Sequence, residues 1–293
     1  MSYDFETITY GKWILAGEHA VLRGHPALVF PLTSKALTLK YQASNMPLVL
    51  TYQGESAATC KPSIWKLLRA GFKALELDEK HITGELHITN QVPIGTGLGA
   101  SAALCVAITR WLQAIFDPNL NQFTFARTLE NIFHGQSSGL DIAGSMTASD
   151  GVFFESEKIT PFSPSWKPHW CLSFSGTPSV TSTCIQQVQN LQAKNKVQAD
   201  LIDNQMTHSV IEAREALTHP NKQPKLIHAI QRAADCFDAW GLINPPLKTH
   251  IDNLYQQGAL AVKPTGSGHG GYVLSLWNTP PTTATIPLIF PLI

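Results

Sequence analysis

The sequence predicts an α+β protein of two domains. Short apolar or alternating runs dominate the first half, and helical periodicity dominates much of the second. Each half also carries a glycine-rich loop directly after an apolar run: PIGTGLGASAA at 93–103 and TGSGHGG at 265–271. Strands gathered ahead of helices, rather than strict alternation, favour α+β over a doubly wound sheet. A chain of 293 residues is long enough for two domains, expected at 1–165 and 166–293.

FETITY (5–10), ALVFPL (27–32), ALTLKY (36–41) and LVLTY (48–52) are β-branched or alternating runs separated by Gly, Pro, Ser and Asn, so each reads as a strand. Ile64, Leu67, Leu68, Phe72 and Leu75 have helical spacing, predicting a helix over 63–77. ELHITN (85–90) is a further strand, with Leu86 and Ile88 on one face. After the first glycine loop a helix is expected over 100–116, then one capped by Asn121 and running to about Phe133. Residues 151–175 read as strand and loop, with breaks at Pro161, Pro164 and Pro168. From about 196 the pattern is helical, clearest in Leu226, Ile230, Ala233, Phe237 and Trp240. Another helix is expected over 246–257, with Gly258 suited to its C-terminal cap. ALAVK (259–263) and YVLSLW (272–277) are strands on either side of the second glycine loop. In the tail, TTATIPLIFPLI, Pro287 and Pro291 restrict any strand to a sheet edge.

Composition narrows the function. With 44% hydrophobic and 14% charged residues the chain can bury a core. Twenty-one basic residues balance twenty-one acidic ones, so no net field draws in nucleic acid or an anionic membrane. Five scattered cysteines without a CxxC pair favour neither a disulfide framework nor a zinc ribbon. The first ten residues lack a secretory h-region, and no apolar run approaches the roughly 18 residues of a membrane span. A cytoplasmic location is therefore expected. The histidines other than His19 show no HExxH or clustered metal spacing and read as structural.

A strand, a glycine loop and a helix N-terminus together make an anion trap. First-turn N–H groups are unpaired, the helix end is partly positive, and glycine lets phosphate oxygens approach the backbone. Gly95, Gly97, Gly99 and the small Ala100, Ser101, Ala102 and Ala103 leave room for a polyphosphate, and Ser101 puts a hydroxyl in the first turn. The same glycines also suit a plain strand-to-helix turn. The loop fits neither the Walker pattern nor the dinucleotide fingerprint.

PIGTGLGASAA resembles the second motif of the GHMP kinases, the family that includes galactokinase, homoserine kinase, mevalonate kinase and phosphomevalonate kinase. GKWILAGEHAVLRGHPAL (11–28) resembles the first motif, KPTGSGHGG (263–271) the third, and LENIFHGQSSGLD (129–141) the segment bearing the metal ligand and catalytic acid. These four stretches keep the family's order and reach from residue 11 to 271. The resemblance implies an N-terminal domain like domain 2 of ribosomal protein S5, with a left-handed βαβ unit, and a ferredoxin-like C-terminal domain, with ATP in the cleft between them.

It also implies roles. Asp141 takes the proton of the acceptor hydroxyl or holds that hydroxyl in line, and Lys12 stabilises charge developing on the attacking oxygen. Pro93, Gly95, Gly97, Leu98, Gly99, Ala100, Ser101 and Ala102 cradle ATP. Ser101 and Glu130 hold Mg²⁺. Glu18, His19, Ser138, Gly139, Thr265, Gly266, Ser267 and Gly268 face the acceptor. Glu130 is notable without the family, because it lies within the apolar arc bounded by Phe123 and Ala126, where a charge needs a partner such as an ion or a basic side chain.

For the acceptor, GEHAV followed by GHPAL is most similar to the mevalonate kinase pattern. Ile142 after Asp141 and the Lys263–Pro264 pair lean toward phosphomevalonate kinase. The expected partners are thus ATP and mevalonate or a related small alcohol. A non-catalytic ligand sensor on the same fold is the alternative of another class. A homodimer is compatible with the sequence, which does not fix the oligomeric state.

Overall fold

The computed structural model describes residues 3–148, 150–281 and 288–291. Among them the elements run β1 (Phe5–Ala16), β2 (Ala27–Pro47), β3 (Val49–Gln53), α1 (Ala57–Ala74), β4 (Thr83–Asn90), α2 (Ala100–Ile115), α3 (Gln122–His134) and α4 (Leu140–Met146). Then follow β5 (Gly151–Glu155), β6 (Lys158–Phe162), β7 (His169–Phe174), α5 (Thr181–Lys194), α6 (Lys196–Ala216), α7 (Gln223–Ala239), α8 (Pro245–Gln256), β8 (Ala261–Thr265), β9 (Tyr272–Trp277) and β10 (Leu288–Ile289). The chain is α+β and forms two compact units. One comprises Met1–Gly11, Thr33–Ile94 and Gly99–Ala148; the other comprises Lys12–Leu32, Gly95–Leu98 and Ser149–Ile293.

In the first unit β3 and β4 are parallel, joined across α1 into a βαβ unit, and β4 pairs antiparallel with the second part of β2 from Leu37↔Asn90 onward. β4 alternates buried and exposed residues, so Leu86 and Ile88 reach the core as expected. Trp111 of α2 sits at the centre of this core, its ring 5.5 Å from Tyr41, 6.1 Å from Phe72 and 5.8 Å from Phe116. Asn121 caps α3, its Oδ1 accepting the Thr124 N–H at 3.0 Å.

In the second unit the first part of β2 pairs antiparallel with β5, and β5 with β6. A separate antiparallel sheet has the order β10-β7-β9-β8. Leu247, Ile251 and Leu254 of α8 pack with Val262 of β8 and Val273 of β9. Trp13 is fully buried, stacked on Phe30 at 4.8 Å and tilted against Trp170 at 5.5 Å.

Several elements differ from expectation. The strands foreseen at 27–32 and 36–41 are one continuous β2, because its two ends serve different neighbours and Pro31 falls between the stretches paired with β5 and β4. Helix α1 starts six residues early and contains Pro62 in its second turn, where the ring removes one hydrogen-bond donor without ending the helix. Pro161 lies inside β6, which ends its strand path among the described residues, an edge position where a proline is tolerated. Helix α5, ahead of the 196 boundary, was not foreseen; it buries only Cys184 and Val188, too sparse a stripe to read. In the tail, Leu288 and Ile289 form the expected edge strand against β7, while 282–287 and 292–293 lie outside the described residues. All five cysteines are free. No helix among the described residues is long and apolar enough to cross a membrane.

Candidate active site

The first glycine loop begins where β4 ends. Asn90 turns the chain, its side chain donating to Val92 O and accepting from Val92 N, both at 3.0 Å. Gly95, Gly97 and Gly99 all have positive φ, at 70°, 86° and 79°. Gly97 lies against the second glycine loop of its own unit, so a Cβ there would stand 3.2 Å from Thr265 O. A side chain would have to fill that space and adopt a backbone region few side chains tolerate. Gly99 begins α2 without a side-chain cap, so the first-turn N–H groups keep the character of an anion site.

Ser101 is half-buried in the first turn of α2, and Cys105 lies one turn further on the same face. Burial pushes the Cys105 thiol well up, and the carboxylate of Glu130 adds to it. The face of α2 that carries Ser101 and Cys105 is therefore the face that feels Glu130. Glu130 itself is 2% exposed on α3, far from the solvated surface a glutamate prefers. The Ser137 hydroxyl donates to its Oε2. Beyond Ser137 the chain turns at Gly139 (φ 84°) into α4, whose first turn holds Asp141. Ser138 Oγ accepts the Leu140 N–H at 3.2 Å, which places Ser138, Gly139 and Asp141 on one tight turn.

The second unit assembles the first and third motifs. Lys12, Glu18, His19, Lys263 and Thr265 are all buried. Lys263, 0% exposed, donates to Glu18 Oε1 at 2.5 Å and to Ile14 O at 3.4 Å, and its ammonium lies 5.3 Å from the Phe237 ring centroid. Burial drives the Glu18 carboxyl up and the Lys263 amine down; the attraction between them opposes both. Lys12 adds positive charge to the same cluster, lowering Glu18 and also Lys263. Thr265 Oγ1 accepts Ile14 N–H at 2.8 Å and donates to Ile14 O at 3.0 Å, stitching β8 to β1. Ser179 Oγ pairs with Ser267 Oγ at 2.6 Å, and the Gly271 N–H donates to Thr177 O at 2.8 Å, so the loop is braced from behind.

His19 has φ 58°, a strained value for a residue with a side chain, held by its surroundings. Its ring packs edge-on to Phe237 at 6.0 Å and Trp240 at 5.3 Å, and Nε2 donates to Ser267 O at 2.8 Å. Burial is the main cause that lowers its pKa to about 4 from 6.5, the Ser267 bond working the other way. The unfolded chain binds the proton near 6.5, so the stability carried by neutral His19 is complete above that pH. It is lost as pH falls toward 4, by up to roughly 3 kcal/mol. Urea unfolding at pH 7 and pH 5 should therefore show the wild type losing about 2 kcal/mol more than His19→Gln over that interval. Parallel pH profiles for the two proteins would contradict this.

The sequence-predicted residues thus fall into two groups. Lys12, Glu18, His19, Gly95, Gly97, Leu98 and Thr265–Gly268 lie in one unit, where the first and third motifs meet. Pro93, Gly99–Ala102, Glu130, Ser138, Gly139 and Asp141 lie in the other. The partners missed in the sequence are Lys263 for Glu18, the Phe237–Trp240 wall for His19, and Ser137 for Glu130. The helical spacing of Phe237 and Trp240 was visible, but not what their faces would cover. Among the described residues no three His, Cys, Asp or Glu side chains gather to hold a metal ion.

Residues 63–149 match the GHMP kinases N terminal domain. Mevalonate kinase of Archaeoglobus fulgidus is 29% identical over 273 residues, covering 92% of this chain and 90% of that protein. Mevalonate kinase of Pyrococcus horikoshii is 24% identical over 291 residues, covering 90% of this chain and 86% of that one. The fold matches L. major mevalonate kinase in complex with R-mevalonate at a TM-score of 0.75 and 23% identity, over 94% of this chain and 87% of that one. It matches Streptococcus pneumoniae phosphomevalonate kinase in complex with phosphomevalonate and AMPPNP at a TM-score of 0.72 and 19% identity, over 94% and 92%. The chain therefore carries a GHMP kinases N terminal domain. It is an enzyme, a kinase of the class that uses ATP as phosphate donor.

Proposed function

We propose that this enzyme transfers the γ-phosphoryl group of ATP to the primary hydroxyl of mevalonate, a step of isoprenoid precursor synthesis in the cytoplasm. The observation that carries the reading is its similarity to mevalonate kinases, which spans at least 90% of this chain and 86% of each of them. The family's two domains are assigned to 1–165 and 166–293.

In this reading Pro93, Gly95, Gly97, Leu98, Gly99, Ala100, Ser101 and Ala102 receive the phosphates. Ser101 and Glu130 hold Mg²⁺. A hydroxyl and a buried carboxylate are hard oxygen donors, and Mg²⁺ needs only one or two such side chains beside phosphate and water, so the donor set fits. The bound ion neutralises phosphate charge. Asp141, in the first turn of α4, accepts or orients the acceptor's hydroxyl proton, and Lys12 supplies the opposing charge. Glu18, His19, Ser138, Gly139 and Thr265–Gly268 orient the acceptor. The buried anchoring of Glu18 and His19 supports a rigid role, since a group fixed beforehand loses no entropy at the moment of reaction.

Phosphomevalonate as acceptor is the second reading. Ile142 and Pro264 favour it. An ADP-release assay with mevalonate, phosphomevalonate, galactose and homoserine decides between the two. We expect mevalonate to be preferred by at least about 100-fold in kcat/KM, because a site built around buried polar groups rejects acceptors that leave them unpaired. Preference for phosphomevalonate would install the second reading, and turnover with none of the four would overturn both.

A further inference from the structure

We propose that Ser137 is a positioning residue that sets the geometry of Glu130 and of the Asp141 turn through one hydroxyl. This rests on the reading of Glu130 as an ion ligand. Ser137 Oγ donates its proton to Glu130 Oε2 and at the same time accepts the Gly139 N–H at 3.0 Å. Its backbone is fixed too, the Ser137 N–H donating to Asn131 Oδ1 at 2.7 Å, one residue from Glu130 on α3. Gly139 is the residue before α4, and it cannot shift freely. Its φ is 84°, and a Cβ there would stand 2.6 Å from the Phe123 ring. The hydroxyl therefore joins a nearly sealed carboxylate on α3 to the residue from which the Asp141 helix starts.

Only a group that donates and accepts at once can do this. A carboxylate accepts and an N–H donates, so the atom between them needs both functions, which a hydroxyl has and a methyl lacks. Glu130 is buried, so a bond from an uncharged donor holds its rotamer without neutralising its charge, as a lysine or arginine in the same place would. Partners that orient a ligand in this way typically govern metal affinity or activity by about 10–100-fold.

Threonine and valine at position 137 have nearly the same shape and differ in the hydroxyl, so their contrast isolates it. The probe is Mn²⁺ in the presence of AMPPNP, with free Mn²⁺ followed by electron paramagnetic resonance, a readout independent of turnover. Ser137→Val and Ser137→Ala should bind Mn²⁺ about 10–100-fold more weakly, with kcat reduced alongside and acceptor KM within about twofold. Ser137→Thr should stay within about threefold of wild type. Equal Mn²⁺ affinity in the Thr and Val variants overturns the proposal, as does wild-type affinity in Ser137→Ala. Glu130→Gln separates the two levels of the reading. If it loses Mn²⁺ affinity while the Ser137 variants do not, only the role of Ser137 falls; if Glu130→Gln binds as wild type, the ion reading falls and Ser137's role with it.

Discussion

Asp141→Asn should lower kcat by about 10³-fold, in the middle of the range for removing a group that handles a proton in the transition state. The change keeps the size of the side chain and its place in the first turn of α4, but removes the charge and the ability to accept a proton. Nucleotide binding should survive, with the Kd for ATP by calorimetry within about twofold of wild type, because the lost interaction belongs to the chemical step. The pattern to look for is a fall in kcat and in kcat/KM together. Near-normal turnover would remove Asp141 from the reaction.

The second large effect concerns stability. Lys263→Met leaves Glu18 charged, 2% exposed and without the ammonium that now contacts it at 2.5 Å. The other oxygen, Glu18 Oε2, is already buried with no hydrogen-bond partner among the described residues, so the carboxylate has no reserve of such contacts on that side. Removing one member of a buried pair typically costs about 3–5 kcal/mol. In a chain of this size that corresponds to a fall in Tm of roughly 10 °C. Adding Glu18→Gln should recover most of it, since the uncompensated charge is gone, yet should not restore catalysis if Glu18 orients the acceptor. A single variant that melts within about 2 °C of wild type would show that Glu18 takes up a proton or finds water instead.

How much of this was written in the sequence depends on how local the signal is. Asn121 as a cap, the helix after Gly99, and β4 with Leu86 and Ile88 inward are decided within one or two turns or strands of chain, and all three stand in the structure. The continuity of β2 is not local. It depends on β5 and β4 arriving at different ends of the same strand, over a hundred residues and some forty residues away respectively. Helix α5 escaped for a different reason: its stripe of Cys184 and Val188 is two residues wide, and Ser, Thr and Gln fill the rest.

The same distinction holds at the site. The glycine loops and the GEH turn announce themselves because glycine spacing and rare charge in apolar surroundings are sequence properties. What they rest on is not. Glu18 meets Lys263 across 245 residues, and His19 meets Ser267 across 248. No periodicity connects them; they come together because β8 lies beside β1, with Thr265 bonded to Ile14. Ser137 sits only seven residues from Glu130, yet it too was invisible, since nothing in SSGLD says which of two adjacent serines turns its hydroxyl back toward α3.

The proposed reaction depends on where the phosphates and their ion bind. A crystal grown with AMPPNP and Mn²⁺, with the ion located by its anomalous scattering, addresses this directly. We expect the phosphates on the Gly95–Ser101 loop at the start of α2 and the Mn²⁺ peak held by Ser101 Oγ and the Glu130 carboxylate, each either coordinated directly at about 2.1 Å or linked through one coordinated water. A nucleotide bound elsewhere, or an ion that neither side chain approaches, would contradict it.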